Sequence, residues 1–190
     1  MTLIRNEDDI AHALAGSAYH NRAMEAASRI YTETLWLSAG FVRNHIWDIL
    51  FKDGKTTPLN DIDVIFFNPE QTDPAHEMNI KRQLEDIAPA YPWSVKNQAR
   101  MHVKNGDPAY HSVDNAMCYW LETVTPIAIR QDRRNRHYLL APLGIDDLLR
   151  GACNPTPHAK SREERLQAYR ARMKQKQWWT VWNGVTVNGL

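Results

Sequence analysis

The amino-acid sequence predicts an α+β fold in which helices flank a mixed β-sheet. Segments whose apolar residues recur at helical spacing alternate with short runs of β-branched and aromatic residues, and residues 61–67 form the clearest strand. Two further strand-like runs, at residues 127–130 and 138–141, are separated by a polar segment typical of a hairpin turn. The chain has 190 residues, 43% hydrophobic and 24% charged, which predicts one globular domain over residues 1–190.

The N-terminal part of the chain is predicted to be mainly helical. Residues 6–35 have apolar residues at helical spacing and are interrupted near Gly16, which indicates two amphipathic helices. A short apolar run then leads into a turn of small residues at 38–40, and helical spacing resumes over residues 41–50. Residues 52–60 have the glycine, proline and polar residues of a loop, so the clearest strand begins directly after a loop.

The remaining elements alternate in the same way. A helix is predicted at residues 75–88, and residues 93–100 favour a second strand. We expect a helix at residues 113–121, before the hairpin strands, and a short helix that begins at residue 146, after them. A proline-rich linker is predicted at residues 153–158. The C-terminal segment from about residue 158 is basic and rich in tryptophan. Ser161 and Glu164 have the spacing of a capping box, which predicts that its helix begins there.

Composition excludes several classes of protein. The two cysteines, Cys118 and Cys153, lack the spacing of a zinc site or a disulfide framework, which favours a reducing cytoplasm. The sequence has neither the apolar stretch of a signal peptide nor a membrane-spanning run, so we expect no export and no membrane association. The formal net charge is only +1, although residues 158–177 are locally basic.

Two carboxylates alternate with apolar residues on the clearest strand. Because side chains alternate across a strand, Asp61 and Asp63 project to one face while their apolar neighbours enter the core. Carboxylates this close repel each other unless a cation joins them, and Mg²⁺ (or Mn²⁺) is a hard cation that prefers oxygen ligands. The pattern therefore indicates a divalent metal site. The alternative is that Asp61 caps the start of the strand and Asp63 faces solvent.

The turn at residues 38–40 opens a helix earlier in the chain. Backbone N–H groups at a helix N-terminus can hold phosphate oxygens, and small residues such as Ser38 and Gly40 permit close approach. Such a turn followed by a strand with paired carboxylates is more specific than either feature alone. Together they predict a site for a divalent metal ion and a phosphate-bearing ligand.

This order of elements resembles the nucleotidyltransferase superfamily that includes DNA polymerase β. More narrowly, five segments resemble a bacterial family of nucleotidyltransferase-like proteins: residues 38–44, 47–48, 61–63, 93–102 and 141–148. The resemblance covers roughly residues 20–182, and residues 95–102 are its most specific stretch. It implies a polymerase β-like fold and the transfer of a nucleoside monophosphate from a nucleoside triphosphate (NTP) to an unknown hydroxyl or phosphate acceptor.

The resemblance also implies roles for particular residues. Asp61 and Asp63 are the catalytic, metal-binding pair, and Ser38 and Gly40 lie at the nucleotide phosphates. Superfamily members typically add a third carboxylate on a neighbouring strand, where this sequence has Asn97. An asparagine can bind a metal through its carbonyl oxygen but cannot accept a proton.

Without that third carboxylate, the acceptor must be activated in another way. Either an acid such as Asp114 or Glu122 takes its place, or the metal and positioning suffice. Arg43 and Lys96 lie in the resembling segments and are candidates for phosphate contacts. The alternative for each is a surface cation or a salt bridge to a neighbour.

Other functional classes stay open beside the enzyme. One is a non-catalytic module that keeps the fold and binds a nucleotide or nucleic acid. Another is a nucleic-acid-binding protein that uses its basic helix alone, which a net charge near zero does not favour. The last tryptophans of the chain are Trp178, Trp179 and Trp182. They could stack on a base, but their clustering favours docking of the C-terminal segment on the core.

Overall fold

The computed structural model describes residues 3–52 and 56–190. The helices of these residues are α1 (Glu7–Gly16), α2 (Ala18–Ser28), α3 (Gly40–Phe51), α4 (Pro74–Ile87), α5 (Met101–Asn105), α6 (Val113–Cys118), α7 (Asp146–Arg150), α8 (Pro157–Ser161), α9 (Glu163–Lys176) and α10 (Trp178–Val181). The strands are β1 (Trp36–Ser38), β2 (Ile62–Phe66), β3 (Trp93–Asn97), β4 (Ala128–Gln131), β5 (His137–Leu140), β6 (Ala152–Cys153) and β7 (Thr186–Val187). A 3₁₀ turn, Gln98–Arg100, joins β3 to α5. None of the described helices is long and apolar enough to cross a membrane.

Five strands form one mixed sheet in the order β3-β2-β1-β4-β5. β2 and β3 run parallel because α4 connects them by a crossover, whereas β1 pairs antiparallel with both β2 and β4. β4 and β5 form the predicted hairpin, so the predicted mixed sheet is confirmed. A second sheet pairs β6 with β7, and the sequence does not predict these strands because each is only two residues long.

The two faces of the five-stranded sheet are covered differently, which leaves room for a cleft on one of them. On one face, Leu37 and Val64 belong to the main hydrophobic core together with residues of α1, α2, α3 and α4. On the other face, a small cluster packs Ile65 and Ala128 against α6. Asp63 lies on this second face, because side chains two residues apart on a strand share a face.

The tryptophans of the C-terminal segment pack against α3. Trp47 is fully buried and meets Trp178 and Trp182 edge to face, with ring centroids 5.7 and 5.2 Å apart. Trp182 also donates a hydrogen bond from Nε1 to Oδ1 of Asp48 at 2.8 Å. The predicted docking of this segment on the core is therefore confirmed for Trp178 and Trp182, whose burial removes them as exposed stacking platforms for a base.

The strand predicted at residues 93–100 is shorter than expected. β3 ends at Asn97, whose Oδ1 accepts a hydrogen bond from the N–H of Ala99 at 3.1 Å and so begins the 3₁₀ turn. A side chain that satisfies the next backbone N–H competes with the hydrogen-bond ladder of the strand. The sequence pattern alone does not reveal this competition.

The predicted capping box is wrong. Ser161 is the last residue of α8, and its hydroxyl donates to the carbonyl oxygen of His158 at 2.8 Å. α9 begins only at Glu163 and has no side-chain cap. The proline-rich linker is also more regular than expected, because the Thr156 hydroxyl accepts the N–H of Ala159 at 3.0 Å and caps α8.

The loop predicted at residues 52–60 includes residues 53–55, which lie outside the described part of the chain. Residues 56–61 form neither helix nor strand, as expected. Asp48 of α3 is buried and holds this loop by accepting hydrogen bonds from the N–H and the hydroxyl of Thr57, both at 2.6 Å. This contact helps to set where the chain enters β2.

Candidate functional site

A cleft of about 330 Å³ opens on the sheet face that carries Asp63. Asp63 and Ile65 of β2 form part of its floor. Charged side chains and the turn before α3 contribute to its walls: Ala39, Lys96, Lys104, Glu122, Arg165 and Arg172. The cleft therefore joins Asp63 to the start of α3 and to one side of α9.

Asp63 is partly buried, whereas Asp61 is exposed just before β2. Burial and the nearby charge of Asp61 raise the pKa of Asp63 to about 6. Three cations act in the opposite direction: Arg172, Arg43 and Lys176. A carboxyl group with a displaced pKa inside a cleft is a common feature of functional sites.

The turn at residues 38–40 brings the N-terminal end of α3 to the cleft. Ala39 lines the cleft at the N-cap position and has φ 53°, a backbone conformation that glycine adopts more easily than alanine. The first amides of a helix have no intrahelical acceptor, so this end of α3 can receive an anion. A Cβ on Gly40 would meet no atom closer than Arg43 Nη2 at 3.6 Å, so the chain leaves space beside Gly40.

Ser38 is fully buried, and its hydroxyl donates to the carbonyl oxygen of Asp63 at 3.1 Å. This bond ties the turn to the strand that carries the candidate metal ligand. The Ser38 side chain does not line the cleft. Its expected contact with a phosphate stays a prediction.

Arg43 lies beneath the turn and outside the lining of the cleft. Its guanidinium stacks on Trp178, with 4.0 Å between Cζ and the ring centroid, and its Nη2 donates to Oδ1 of Asn44 at 2.7 Å. Burial lowers the pKa of Arg43 to about 10, which leaves it charged at neutral pH. Arg43 therefore acts on Asp63 through its charge, and the phosphate contact expected of it stays a prediction.

Lys96 lines the cleft and is exposed, with its Nζ 3.7 Å from Oε2 of Glu77. Glu77 of α4 is buried and accepts two hydrogen bonds from Arg100, both at 2.6 Å, and one from the N–H of Asn97 at 2.8 Å. The most specific stretch of the sequence, residues 95–102, thus holds β3 and the 3₁₀ turn to α4.

Asn97 does not join the carboxylate pair. It pairs with Phe66 in the β2–β3 ladder, so it points to the sheet face opposite that of Asp63, and it is fully buried. Its Nδ2 donates, at 2.7 and 2.9 Å, to two carbonyl oxygens of the loop after β2: those of Asn68 and Gln71. The prediction of Asn97 as a metal ligand is therefore corrected, because its amide group already holds the backbone of this loop.

We expect Glu77→Gln to lower the free energy of unfolding by about 1–3 kcal/mol. Removing one partner of a buried ion pair costs about 3–5 kcal/mol, and we reduce this figure because the Arg100 side chain is 28% exposed. Chemical denaturation measures the change. Glu85→Gln is the matched control on α4. Oε1 of Glu85 lies 3.4 Å from Nζ of Lys81, both side chains are 46% exposed, and such an exposed ion pair contributes about 0–1 kcal/mol. Equal losses in the two variants would contradict a structural role for Glu77.

Only one of the two acids expected to replace a third carboxylate lies in the cleft. Glu122 lines the cleft, is 2% exposed, and accepts a hydrogen bond from Nε of Arg172 at 2.8 Å. Asp114 is exposed on α6, where it accepts a hydrogen bond from the hydroxyl of Ser112. Asp114 is therefore removed from the candidate site and Glu122 is retained.

The residues that sequence reasoning missed come from α9. Arg165 and Arg172 both line the cleft. They are seven residues apart, so two helical turns place them on one face of α9. This spacing was visible within the basic segment, but the spacing alone does not indicate which surface the face meets.

The carboxylate pair suits a metal ion that arrives with a phosphate-bearing substrate. Within residues 3–52 and 56–190, no three His, Cys, Asp or Glu side chains converge as a ligand set. Asp61 and Asp63 stay the predicted ligands. Mg²⁺ is usually held by one or two carboxylates together with water and substrate phosphates, so a pair of this kind fits it.

The chain resembles known proteins in sequence and in fold. The sequence profile of a family described as nucleotidyltransferase matches residues 25–187. No curated protein matches the chain in sequence. A solved structure described as a CCA-adding enzyme head domain is 29% identical, with 98% of each chain covered and a TM-score of 0.84.

Two larger proteins resemble this chain in fold. A Thermotoga maritima CCA-adding enzyme in complex with tRNA is 13% identical, with a TM-score of 0.54 over 87% of this chain and 40% of that one. A tRNA-processing enzyme in an apo form is also 13% identical, with a TM-score of 0.50 over 89% of this chain and 42% of that one. The predicted polymerase β-like fold is confirmed, and the chain belongs to the nucleotidyltransferase family.

Proposed function

We propose that this protein is a metal-dependent nucleotidyltransferase that transfers a nucleoside monophosphate from an NTP to a hydroxyl or phosphate acceptor. The observation that carries the proposal is the position of Asp63. This carboxyl group lies near Asp61 in a cleft that also receives the N-terminal end of α3. Paired carboxylates and a phosphate-binding helix terminus are what a metal–triphosphate substrate requires.

Asp61 and Asp63 would hold the metal, which is Mg²⁺ or Mn²⁺ in this proposal. When bound, the metal supplies positive charge that offsets the negative charge of the triphosphate and of the departing pyrophosphate. The pKa of Asp63, about 6, leaves this group mainly ionised at neutral pH and ready to bind a cation.

The residues of the chain contribute mainly by positioning and charge. In the reaction, the acceptor oxygen bonds to the α-phosphorus while the bond from that phosphorus to the pyrophosphate oxygen breaks, and the proton of a hydroxyl acceptor passes to solvent water. Such transfers require little covalent chemistry from the protein. The amides at the start of α3 orient the phosphates beside Ala39, and Lys96 adds a point charge at the rim of the cleft.

The similar structures indicate which acceptor to test first. They include CCA-adding enzymes, one of them in complex with tRNA. We therefore propose a tRNA as the first acceptor to assay, with small-molecule hydroxyl compounds assayed beside it. Transfer of radiolabelled nucleotide to either class identifies the acceptor.

Isothermal titration with each NTP, with and without Mg²⁺, tests the proposed nucleotide site. We expect Mg²⁺-dependent binding that weakens more than about tenfold in the Asp61→Asn/Asp63→Asn variant, because a metal held by two carboxylates loses its charged ligands. Asp86→Asn, which removes an exposed acid from α4, is the matched control. Equal affinities in the double variant and the wild type would refute the assignment.

A non-catalytic nucleotide-binding module is the second candidate function. It is favoured by the observation that the described residues bring no third acidic metal ligand to Asp61 and Asp63. A pyrophosphate-release assay separates the two candidates. Release in the presence of an acceptor supports the transferase, whereas tight NTP binding without release across the tested acceptors supports the binding module.

A further inference from the structure

The basic helix α9 faces the candidate site as well as solvent. Its residues Arg165 and Arg172 line the cleft, whereas Lys174 of the same helix is exposed and lies outside the lining. α9 therefore has two kinds of cation. Those in the cleft can meet a substrate, whereas Lys174 faces solvent.

The charge of the cleft suits a polyanion. Four cationic side chains line it: Lys96, Lys104, Arg165 and Arg172. Asp63 and Glu122 are the acidic residues of the lining. One of these acids is a candidate metal ligand, and the other is already paired with an arginine. A site of this composition attracts phosphate groups over neutral ligands.

The pair of Arg172 and Glu122 has a geometry that leaves part of the arginine free. Nε of Arg172 donates to Oε1 of Glu122 at 2.8 Å, and the Glu122 side chain is only 2% exposed. Among the described residues, no hydrogen bond is made by the terminal nitrogens Nη1 and Nη2 of Arg172. These two nitrogens are the ones with which arginine binds a phosphate bidentately.

Arg172 also shares the cleft with Asp63, since both side chains line it. The Arg172 side chain is 37% exposed, so it can reach a ligand in the cleft without unfolding of α9. A phosphate chain that reaches from the metal ligands along the cleft would therefore meet the free end of this guanidinium.

We infer that Arg172 binds the β- and γ-phosphates of the NTP, and that buried Glu122 is the positioning residue that holds the guanidinium through Nε. This inference rests on the proposed function. It assigns the C-terminal basic helix to nucleotide binding and gives Glu122 a role other than that of a general base.

The alternative is a purely structural ion pair that holds α9 to the segment before β4. The two alternatives predict different effects on the affinities for nucleotides with three phosphates and with one. A structural pair affects NTP and nucleoside monophosphate (NMP) equally, or affects only stability. A contact with the β- and γ-phosphates affects the NTP alone, because the NMP lacks those groups.

The test measures dissociation constants, with Mg²⁺ present, for the tightest-binding NTP and for its NMP. We expect Arg172→Gln to weaken NTP binding about 10- to 100-fold, since a charge-assisted hydrogen bond of this kind is lost, and NMP binding less than about 3-fold. Arg172→Lys restores part of the affinity because lysine supplies a point charge without the bidentate geometry. Lys174→Gln, which removes the same charge from the exposed part of α9, leaves both constants unchanged.

Glu122→Gln tests the positioning role. We expect a smaller loss of NTP affinity, and no further loss when Glu122→Gln is combined with Arg172→Gln, because Glu122 acts through Arg172. Thermal unfolding of each variant reports whether the fold is retained, and the Arg172→Lys result stands if Glu122→Gln does not fold.

The failures of the inference and of the proposed function are distinguishable. If Arg172→Gln binds NTP as tightly as the wild type does, or if it loses NTP and NMP affinity equally, the inference is overturned. Either result leaves the proposed nucleotide site intact. Absence of Mg²⁺-dependent NTP binding in the wild type overturns the proposed function first, and the inference with it.

Discussion

Asp63→Asn is expected to abolish nucleotide transfer and, at neutral pH, to raise the thermal unfolding midpoint of the protein. Activity is lost because an amide oxygen carries no negative charge and is a much weaker ligand of a divalent cation than a carboxylate. Stability rises because the ionised carboxyl group is partly buried near Asp61, and asparagine removes that charge while keeping the shape of the side chain.

The sign of this effect follows from the displaced pKa. The pKa of Asp63 is raised from 3.8 to about 6 in the folded protein by burial and by the charge of Asp61. The stabilising contribution of its protonated form is fully present below pH 3.8 and is lost as the pH rises through about 6. Two pKa units correspond to about 3 kcal/mol, and we expect about 1 kcal/mol, since the group is only partly buried and solvent screens it. Asparagine keeps this contribution at all pH values.

Activity and thermal unfolding measured between pH 5 and pH 8 check the Asp63 prediction. Wild-type Mg²⁺-dependent binding falls as the pH drops through about 6, because protonation of Asp63 removes a metal ligand. The difference in midpoint between wild type and variant disappears towards acidic pH. Asp86→Asn, an exposed acid on α4, should change neither property. Full activity in Asp63→Asn, or a lower midpoint at pH 7.5, would contradict the prediction.

Trp47→Ala is expected to lower the free energy of unfolding by about 3–5 kcal/mol, the usual cost of truncating a buried aromatic side chain. The Trp47 side chain is fully buried between α3 and the C-terminal segment and contacts the rings of Trp178 and Trp182. Its Nε1 also donates to the carbonyl oxygen of Leu148 at 2.9 Å, and truncation leaves that buried oxygen without its donor.

Denaturation by urea measures this loss, and Trp179→Ala is the matched control. Trp179 lies beside Trp178 on α10 but is only partly buried, so we expect a smaller loss. A loss below about 1 kcal/mol would show that the tryptophan cluster contributes little to stability.

The sequence by itself determined most helices and strands and the family. Helical spacing and β-branched runs reflect local periodicity, which is why α1, α2, α3, α4 and the strand with Asp63 lie where the pattern predicts them. The docking of Trp178 and Trp182 was also predictable, because three indoles in five residues rarely stay in solvent. Short side-chain caps, such as those of Asn97 and Thr156, were not predictable from periodicity.

Only the tertiary structure decided which side chains share the cleft. The register of β2 against β3 turned Asn97 to the face opposite Asp63, and a single step in register reverses every side chain of a strand. Arg172 meets Glu122, a residue 50 positions earlier in the chain. A sequence pattern identifies the basic face of α9, but the partner of that face depends on packing between distant segments, which local periodicity does not contain.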